Sequence, residues 1–285
     1  MTIAASKKKA CVIGWPIKHS RSPLIHSAWL DHFGIDGSYE KIAIEPARLR
    51  AFFERMTDDG YVGCNVTSPH KEAVFGLADE RDASAVAAGA ANTVWLTAGR
   101  ICVANTDTHG FMANLASAVP DWYQRRGPVC ILGAGGAARS IVHGFLEAGV
   151  TEVRLTNRRV DRAERMAAEL DPIGGRVRAL PWDELVQATR DAAVIVNATS
   201  LGLDGQGCPP IDFTRCENNA VVADIVYVPL ETEFLRRARL AGLATVDGLG
   251  MLLHQAVPGF EKWFGVRPQV TPALRALVAA DIAGT

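Results

Sequence analysis

The segment that most limits how this chain can fold spans residues 128–139, where a short apolar stretch ends in a glycine cluster. Residues 129–132 predict a buried strand, and residues 136–148 predict a helix with one apolar face. Glycine permits the tight turn between these elements, and the N-terminus of a helix carries a partial positive charge. The segment therefore predicts a phosphate-binding turn that opens a βαβ unit.

The same turn has a second interpretation, because every doubly wound α/β domain contains strand-to-helix turns. Ala138 stands where a third glycine is common, which suits a position needed only for close helix packing. We favour dinucleotide binding, since a predicted strand precedes the turn and a predicted helix follows it. The residues expected to contact the cofactor here are Gly133, Ala134, Gly135, Gly136 and Ala137.

The end of the next predicted strand, residues 152–156, indicates which dinucleotide is bound. An NAD site usually has Asp or Glu there, which accepts a hydrogen bond from the ribose 2′-hydroxyl. This chain has Asn157, Arg158 and Arg159 instead. Guanidinium groups suit a phosphate monoester, so these residues favour NADP(H), although a solvated pair of arginines would give the same pattern.

The composition is typical of a globular enzyme with two domains or one large domain. Of the 285 residues, 48% are hydrophobic and 21% are charged. The net charge of -1 disfavours nucleic acid and anionic membranes as partners, and no apolar run approaches the ~20 residues of a membrane span. The cysteines lack C-x-x-C spacing and the histidines lack metal-ligand spacing, so we expect no disulfide, no metal and a reducing, cytoplasmic location.

Short strands and helices alternate along the chain in two blocks, which predicts two α/β domains. Predicted strands of the first block are 9–14, 39–44, 61–66, 93–96 and 100–104, and its predicted helices are 23–33, 46–56 and 108–118. Predicted strands of the second block are 129–132, 152–156, 176–180, 193–197 and 220–225, and its predicted helices are 136–148 and 161–170. The C-terminal residues are helical, with an apolar stripe from Leu249 to Trp263 whose domain the local pattern does not indicate.

Three polar clusters of the first block suit a binding site better than a core. Asn65 and Lys71 flank the end of one predicted strand, and Asp107 follows another. A lysine and an aspartate that met in a crevice would form a proton-transfer pair, although a solvated lysine and a helix cap would also explain them. Ser20 and Ser22 precede a predicted helix, where hydroxyls suit a bound carboxylate or, at Ser22, an N-cap.

Taken together, these motifs resemble the shikimate dehydrogenase family of the shikimate/quinate dehydrogenase superfamily, over nearly the whole chain. The motifs that carry the resemblance occur in the family's order, at residues 14–23, 65–71, 89–93, 105–107, 133–139, 157–159, 197–202, 224–232 and 248–255. Each motif alone is a weak signal, but the ordered set is specific.

The resemblance implies an oxidoreductase of the shikimate pathway (chorismate and aromatic amino acid biosynthesis) that interconverts 3-dehydroshikimate and shikimate with NADP(H). It implies that Lys71 is the acid/base group, paired with Asp107, and that Ser20 and Ser22 hold the substrate carboxylate. The other implied substrate contacts are Asn65, Thr67, Asn92, Tyr227 and Gln255. The other implied cofactor contacts are Thr199, Gly248 and Met251, the last beside the nicotinamide.

The implied fold is α/β in two domains. A discontinuous α/β substrate-binding domain would span residues 1–107 and 247–285, and a Rossmann-type doubly wound NADP-binding domain would span residues 108–246. We expect a small-molecule substrate, neither nucleic acid nor membrane as a partner, and a monomer or homodimer.

Two alternatives remain at this point. A related enzyme would oxidise quinate, or both quinate and shikimate, but two serines at positions 20 and 22 favour shikimate, and Arg158 and Arg159 disfavour an NAD-dependent enzyme. A ligand-binding sensor with the same fold would have lost the lysine and aspartate that this chain retains at positions 71 and 107.

Overall fold

The structure is a computed structural model that describes residues 7–284. The strands are β1 (Lys8–Gly14), β2 (Gly37–Ala43), β3 (Tyr61–Val66), β4 (Glu80–Arg81), β5 (Thr93–Thr97), β6 (Arg100–Ala104), β7 (Val129–Leu132), β8 (Val153–Asn157), β9 (Val177–Pro181), β10 (Val194–Asn197), β11 (Val221–Asp224) and β12 (Ala244–Val246). The helices are α1 (Ser22–Phe33), α2 (Leu49–Arg55), α3 (Lys71–Leu77), α4 (Ala83–Ala88), α5 (Asp107–Ala118), α6 (Gly136–Glu147), α7 (Val160–Leu170), α8 (Leu185–Thr189), α9 (Glu233–Leu240), α10 (Gly248–Phe264) and α11 (Pro272–Ala283). Short 3-10 helices occupy Pro46–Arg48, Trp122–Gln124, Trp182–Glu184, Leu203–Gly205 and Phe213–Arg215.

The chain divides into two compact units, each made of two separate stretches of sequence. Unit 1 comprises residues 1–106 and 255–278, and unit 2 comprises residues 107–254 and 279–285. The predicted domains differ from these units at residue 107 and in the assignment of residues 247–254 and 279–285. The predicted assignment of one domain to the substrate and the other to NADP stays a prediction.

Unit 1 is built on a mixed sheet in the order β2-β1-β3-β5-β6-β4. Strands β1, β2 and β3 are parallel, whereas β5 runs antiparallel to both β3 and β6. In this register Ile13 pairs with Val66, Asn65 pairs with Thr93, and Thr93 pairs with Ala104. The polar segments that follow β1, β3 and β6 and precede β5 therefore leave the sheet at one edge.

Unit 2 is built on a fully parallel sheet in the order β12-β11-β10-β7-β8-β9. Read from β9, this is the 3-2-1-4-5-6 order of a Rossmann fold, whose ligands bind where the strand order reverses. That point lies between the carboxyl ends of β7 and β10. The predicted α/β architecture with a doubly wound, Rossmann-type parallel sheet is confirmed.

Burial on both faces explains why the strands of unit 2 are apolar without alternation. Successive residues of β7 point to opposite sides of the sheet, so Val129 and Ile131 join one core cluster while Cys130 and Leu132 join another. All six cysteines are free. Within residues 7–284, no helix is long and apolar enough to cross a membrane.

Candidate active site

The glycine turn of unit 2 combines one glycine required by packing with two that are not. Gly133 has a φ of 105°, and a Cβ there would lie 2.9 Å from the Ala198 carbonyl oxygen. A Cβ at Gly135 or Gly136 would meet no other described atom within 4 Å. Glycine at these two positions leaves bare backbone facing open space, which fits the close approach of a phosphate group.

Helix α6 begins at Gly136, directly after this turn. The Gly135 carbonyl oxygen accepts from the Arg139 amide at 3.0 Å and closes the first helical turn. The first amides of the helix, such as that of Ala137, have no acceptor within the helix itself. Together with the helix dipole, they make the turn suitable for an anion such as a pyrophosphate.

Asn157 ends β8, and Arg158 and Arg159 follow it as exposed residues. The Asn157 side-chain amide donates to the Arg159 carbonyl oxygen at 2.8 Å and holds this segment in a turn before α7. Among residues 7–284, neither guanidinium forms an ion pair with a carboxylate. Because β7 and β8 are parallel neighbours, the two arginines and the glycine turn lie at the same end of the sheet, after the carboxyl ends of these strands. The residues present therefore fit the 2′-phosphate of NADP.

A buried polar cluster joins the ends of β10 and β11. The Asp224 carboxylate accepts from Asn197 Nδ2 at 2.9 Å, from the Val226 amide at 3.0 Å and from Thr232 Oγ1 at 2.7 Å. Burial raises the pKa of Asp224 to about 6, although these three hydrogen bonds oppose that effect. Asp224 lies in the motif at residues 224–232 that carries the family resemblance, but the sequence assigns it no role.

Thr199 belongs to the loop that follows β10. Its hydroxyl donates to Asn197 Oδ1 at 2.7 Å and accepts from the Leu201 amide at 3.0 Å. The side chain therefore shapes the loop next to Gly133, whose missing Cβ would lie 3.0 Å from the Thr199 methyl group. Direct contact of Thr199 with a cofactor stays a prediction.

The remaining predicted site residues of unit 2 follow β11 and begin α10. Tyr227 is half-buried in the loop after β11. A Cβ at Gly248 would lie 2.4 Å from the Ile225 carbonyl oxygen, so packing alone requires glycine there. Met251 is buried in the core of unit 2. Their contacts with substrate or cofactor stay predictions.

In unit 1, Ser20 and Ser22 lie at the start of α1. The N-cap residue is Arg21, with no side-chain capping bond, and α1 begins at Ser22 itself. The alternative that Ser22 caps the helix is therefore wrong. The Ser22 amide donates to Ser20 Oγ at 3.3 Å, and the Ser20 hydroxyl donates to Ser22 Oγ at 3.3 Å. Two adjacent hydroxyls at a helix N-terminus suit a carboxylate.

A buried network of amides and hydroxyls lies at the sheet edge of unit 1. The Asn65 Nδ2 donates to the Asn92 carbonyl oxygen at 3.2 Å and to Thr93 Oγ1 at 3.3 Å. The Asn92 side-chain oxygen accepts from the Thr106 amide at 2.8 Å, from the Thr106 hydroxyl at 3.1 Å and from Thr93 Oγ1 at 3.0 Å. These bonds fix the orientation of both amides.

Lys71 is the first residue of α3, which begins after the turn that follows β3. The Lys71 carbonyl oxygen accepts from the Ala91 amide at 2.9 Å, and the Thr67 carbonyl oxygen accepts from the His70 amide at 3.0 Å. The buried His70 Nε2 donates to the Ile44 carbonyl oxygen at 2.7 Å. Bonds on both sides of Lys71 therefore hold the backbone from which its side chain extends.

Asp107 is buried and begins α5 in unit 2, whereas Lys71 belongs to unit 1. Gln255 is half-buried and belongs to unit 1, in its second stretch. The pairing of Lys71 with Asp107 and the substrate contact of Gln255 stay predictions. Among the described residues, no group of three or more His, Cys, Asp or Glu side chains is arranged to hold a metal ion.

Three family profiles match the chain. One described as shikimate dehydrogenase substrate binding domain matches residues 12–94. One described as shikimate / quinate 5-dehydrogenase matches residues 115–203, and one described as shikimate 5′-dehydrogenase C-terminal domain matches residues 248–278.

Individual proteins agree with these profiles. The shikimate dehydrogenase (NADP(+)) of Brucella canis is 52% identical over 98% of this chain and 96% of its own length. The structure of Thermus thermophilus shikimate 5-dehydrogenase with NADP(H) and shikimate is 34% identical, with a TM-score of 0.83 over 96% of this chain and 99% of that one. The structure of Corynebacterium glutamicum quinate dehydrogenase with NAD is 29% identical, with a TM-score of 0.88 over 96% of this chain and 99% of that one. The chain belongs to the shikimate dehydrogenase family.

Proposed function

We propose that this protein catalyses the reversible reduction of 3-dehydroshikimate to shikimate with NADP(H). Membership of the shikimate dehydrogenase family over nearly the full chain is the observation that carries the proposal. The reaction converts a ketone into an alcohol, and the nicotinamide, when bound, supplies the hydride. The side chains of the protein then have to hold the substrate, orient it and move one proton.

The polar sheet edge of unit 1 suits a small carboxylate with several hydroxyl groups. The Ser20 and Ser22 hydroxyls would donate to the carboxylate. Asn65, Thr67 and Asn92 would bind the ring hydroxyls, and the network that fixes both amides supports this role. The other proposed substrate contacts are Tyr227 and Gln255.

Lys71 is the proposed acid/base residue. Its ammonium group would donate a proton to the oxygen that becomes the alcohol, and the neutral amine would take the proton back in the reverse reaction. A positioned acid of this kind typically accelerates a reaction by about 10²–10⁴-fold. Asp107 is its proposed partner.

The proposed cofactor contacts combine backbone and guanidinium groups. The backbone of Gly133, Ala134, Gly135, Gly136 and Ala137 would bind the pyrophosphate, which the open space beside two of these glycines supports. Arg158 and Arg159, next to Asn157, would bind the 2′-phosphate. Thr199, Gly248 and Met251 complete the proposed set.

A second candidate is oxidation of quinate with NAD. The close structural similarity to a quinate dehydrogenase bound to NAD favours this candidate. Two features disfavour it: the arginines at positions 158 and 159, where an NAD site usually has a carboxylate, and the paired serines at positions 20 and 22.

A steady-state assay of the purified enzyme with shikimate and quinate, each with NADP⁺ and NAD⁺, tests the proposal. We expect kcat/KM to be highest for shikimate with NADP⁺. Activity with quinate and NAD⁺ alone would replace the first candidate by the second. Turnover with none of the four pairs would leave a related enzyme of the superfamily or a ligand-binding sensor as the remaining alternatives.

We also propose a cytoplasmic location and a monomeric or homodimeric state. Six free cysteines, most of them buried, support a reducing compartment. Light scattering on the purified protein distinguishes monomer, dimer and larger assemblies.

A further inference from the structure

A buried tyrosine contacts one residue of the proposed substrate site. Tyr39 is in β2, and its side chain is almost fully buried. Its hydroxyl donates to Asn65 Oδ1 at 2.6 Å. The direction of this bond is settled, because Asn65 Nδ2 must face the Asn92 carbonyl oxygen, which only accepts. The side-chain oxygen of Asn65 therefore faces the tyrosine.

The phenol of Tyr39 keeps its proton, so its hydroxyl stays a donor to Asn65. Burial raises the pKa of Tyr39 well above its ordinary value.

Neighbouring rings hold the phenol in place. The His26 ring stacks on the Tyr39 ring, with centroids 4.0 Å apart and planes 12° from parallel. The Trp263 ring lies 5.8 Å away on a tilted plane. Burial lowers the pKa of His26 to about 3, so the histidine is neutral and acts here as an aromatic wall. The hydroxyl of Tyr39 therefore has little freedom to leave Asn65.

We propose that Tyr39 is a positioning residue for substrate binding, whose hydroxyl fixes the side-chain oxygen of Asn65. This inference rests on the proposed function, in which Asn65 binds a ring hydroxyl of the substrate. The hydroxyl of Tyr39 acts before and during the reaction alike, because it orients a group that binds both the ground state and the transition state.

The variant Tyr39→Phe removes this hydroxyl and keeps the ring. Asn65 Oδ1 then loses a buried donor. We expect the KM for shikimate to rise about tenfold, with kcat changed less than about twofold and the KM for NADP⁺ unchanged. This pattern is expected when a variant loses an interaction that stabilises the bound substrate and the transition state equally. The matched control is Tyr61→Phe, since the Tyr61 hydroxyl donates to the exposed Glu40 at 2.5 Å outside the proposed site. This control should leave all three constants unchanged.

A double-mutant cycle separates positioning from general packing. If Tyr39 acts through Asn65, Tyr39→Phe should raise the KM less in an Asn65→Ala background than in the wild type. Additive effects, or an unchanged KM in a Tyr39→Phe enzyme with wild-type thermal unfolding, would overturn the inference alone. A wild-type enzyme that does not turn over shikimate would overturn the proposed function and this inference with it.

Discussion

The proposed ligand sites of the two units consist of different kinds of chemical groups. In unit 1 the site consists of side-chain amides and hydroxyls, which buried hydrogen bonds hold at one edge of a mixed sheet. In unit 2 it consists of backbone at a glycine turn and a helix N-terminus, with two exposed arginines beside it.

This difference follows from what each proposed ligand presents. A polyhydroxylated acid is distinguished from its relatives by the positions of its hydroxyls, so its site needs donors and acceptors in fixed places. A pyrophosphate is recognised by charge and by close approach, which backbone amides satisfy. Unit 1 should therefore be sensitive to the loss of single polar groups, and unit 2 to added bulk.

The largest effect is expected at Lys71. Lys71→Met should lower kcat by at least about a hundredfold, because it removes the proposed proton donor. The Kd of NADPH, measured by fluorescence titration, should not change, since the proposed cofactor groups belong to unit 2. Lys8→Met, at an exposed position in the same unit, is the control. Near-normal turnover of Lys71→Met would remove Lys71 from the mechanism.

Added bulk in unit 2 is tested by Gly135→Val. Gly135 has extended backbone, with φ of -104° and ψ of -176°, and open space at its Cβ position, so the variant should fold normally. The Kd of NADPH should rise about a hundredfold, because the side chain would block approach to the backbone.

Gly133→Ala is the contrasting variant. Its positive φ and its contact with Ala198 should lower the free energy of unfolding by about 1–3 kcal/mol. A Gly135→Val enzyme that binds NADPH normally would show that the glycine cluster serves packing alone.

The units also differ in their buried titratable groups, and His26 should give the larger pH effect. Its pKa is about 3 in the fold against 6.5 in the unfolded chain, so the unfolded state binds more protons between these values. Stability contributed by His26 should therefore rise by about 2 kcal/mol from pH 5 to pH 7.

The measurement is the free energy of urea unfolding for the wild type and for His26→Phe, which keeps an aromatic ring at the stack. The difference between the two proteins should change with pH in the stated direction. A difference that stays constant from pH 5 to pH 7 would mean that His26 titrates alike in the folded and unfolded states.

Asp224 should show a smaller effect of opposite sign. Its pKa is raised to about 6 from 3.8, so the folded state binds more protons in this range and stability should fall by about 1 kcal/mol from pH 5 to pH 7. Asp224→Asn mimics the protonated carboxyl group, so the free energy of unfolding of this variant should not show that decline between pH 5 and pH 7. A decline of equal size in the variant would assign it to other groups.

Local sequence patterns predict some elements to the residue. Strands β3, β6 and β7 have the predicted bounds because their apolar runs end at turn or polar residues. Helix α9 and strands β4 and β12 are absent from the prediction: α9 is strongly polar, and the two strands are only two and three residues long. Because the apolar pattern of these three elements is too short or too weak to predict them, their formation depends on packing against neighbouring elements.

For the candidate site, local sequence patterns specify which chemical groups are present and at which strand ends they lie: Lys71, Asn65, the glycine turn and the arginine pair. These follow from local rules about turns, helix ends and residue types, which need no long-range information. Only the three-dimensional structure reveals that Tyr39 donates to Asn65, and that Asp224 joins the ends of two strands. Such contacts depend on sheet register and burial between residues far apart in the chain, and no local pattern encodes them.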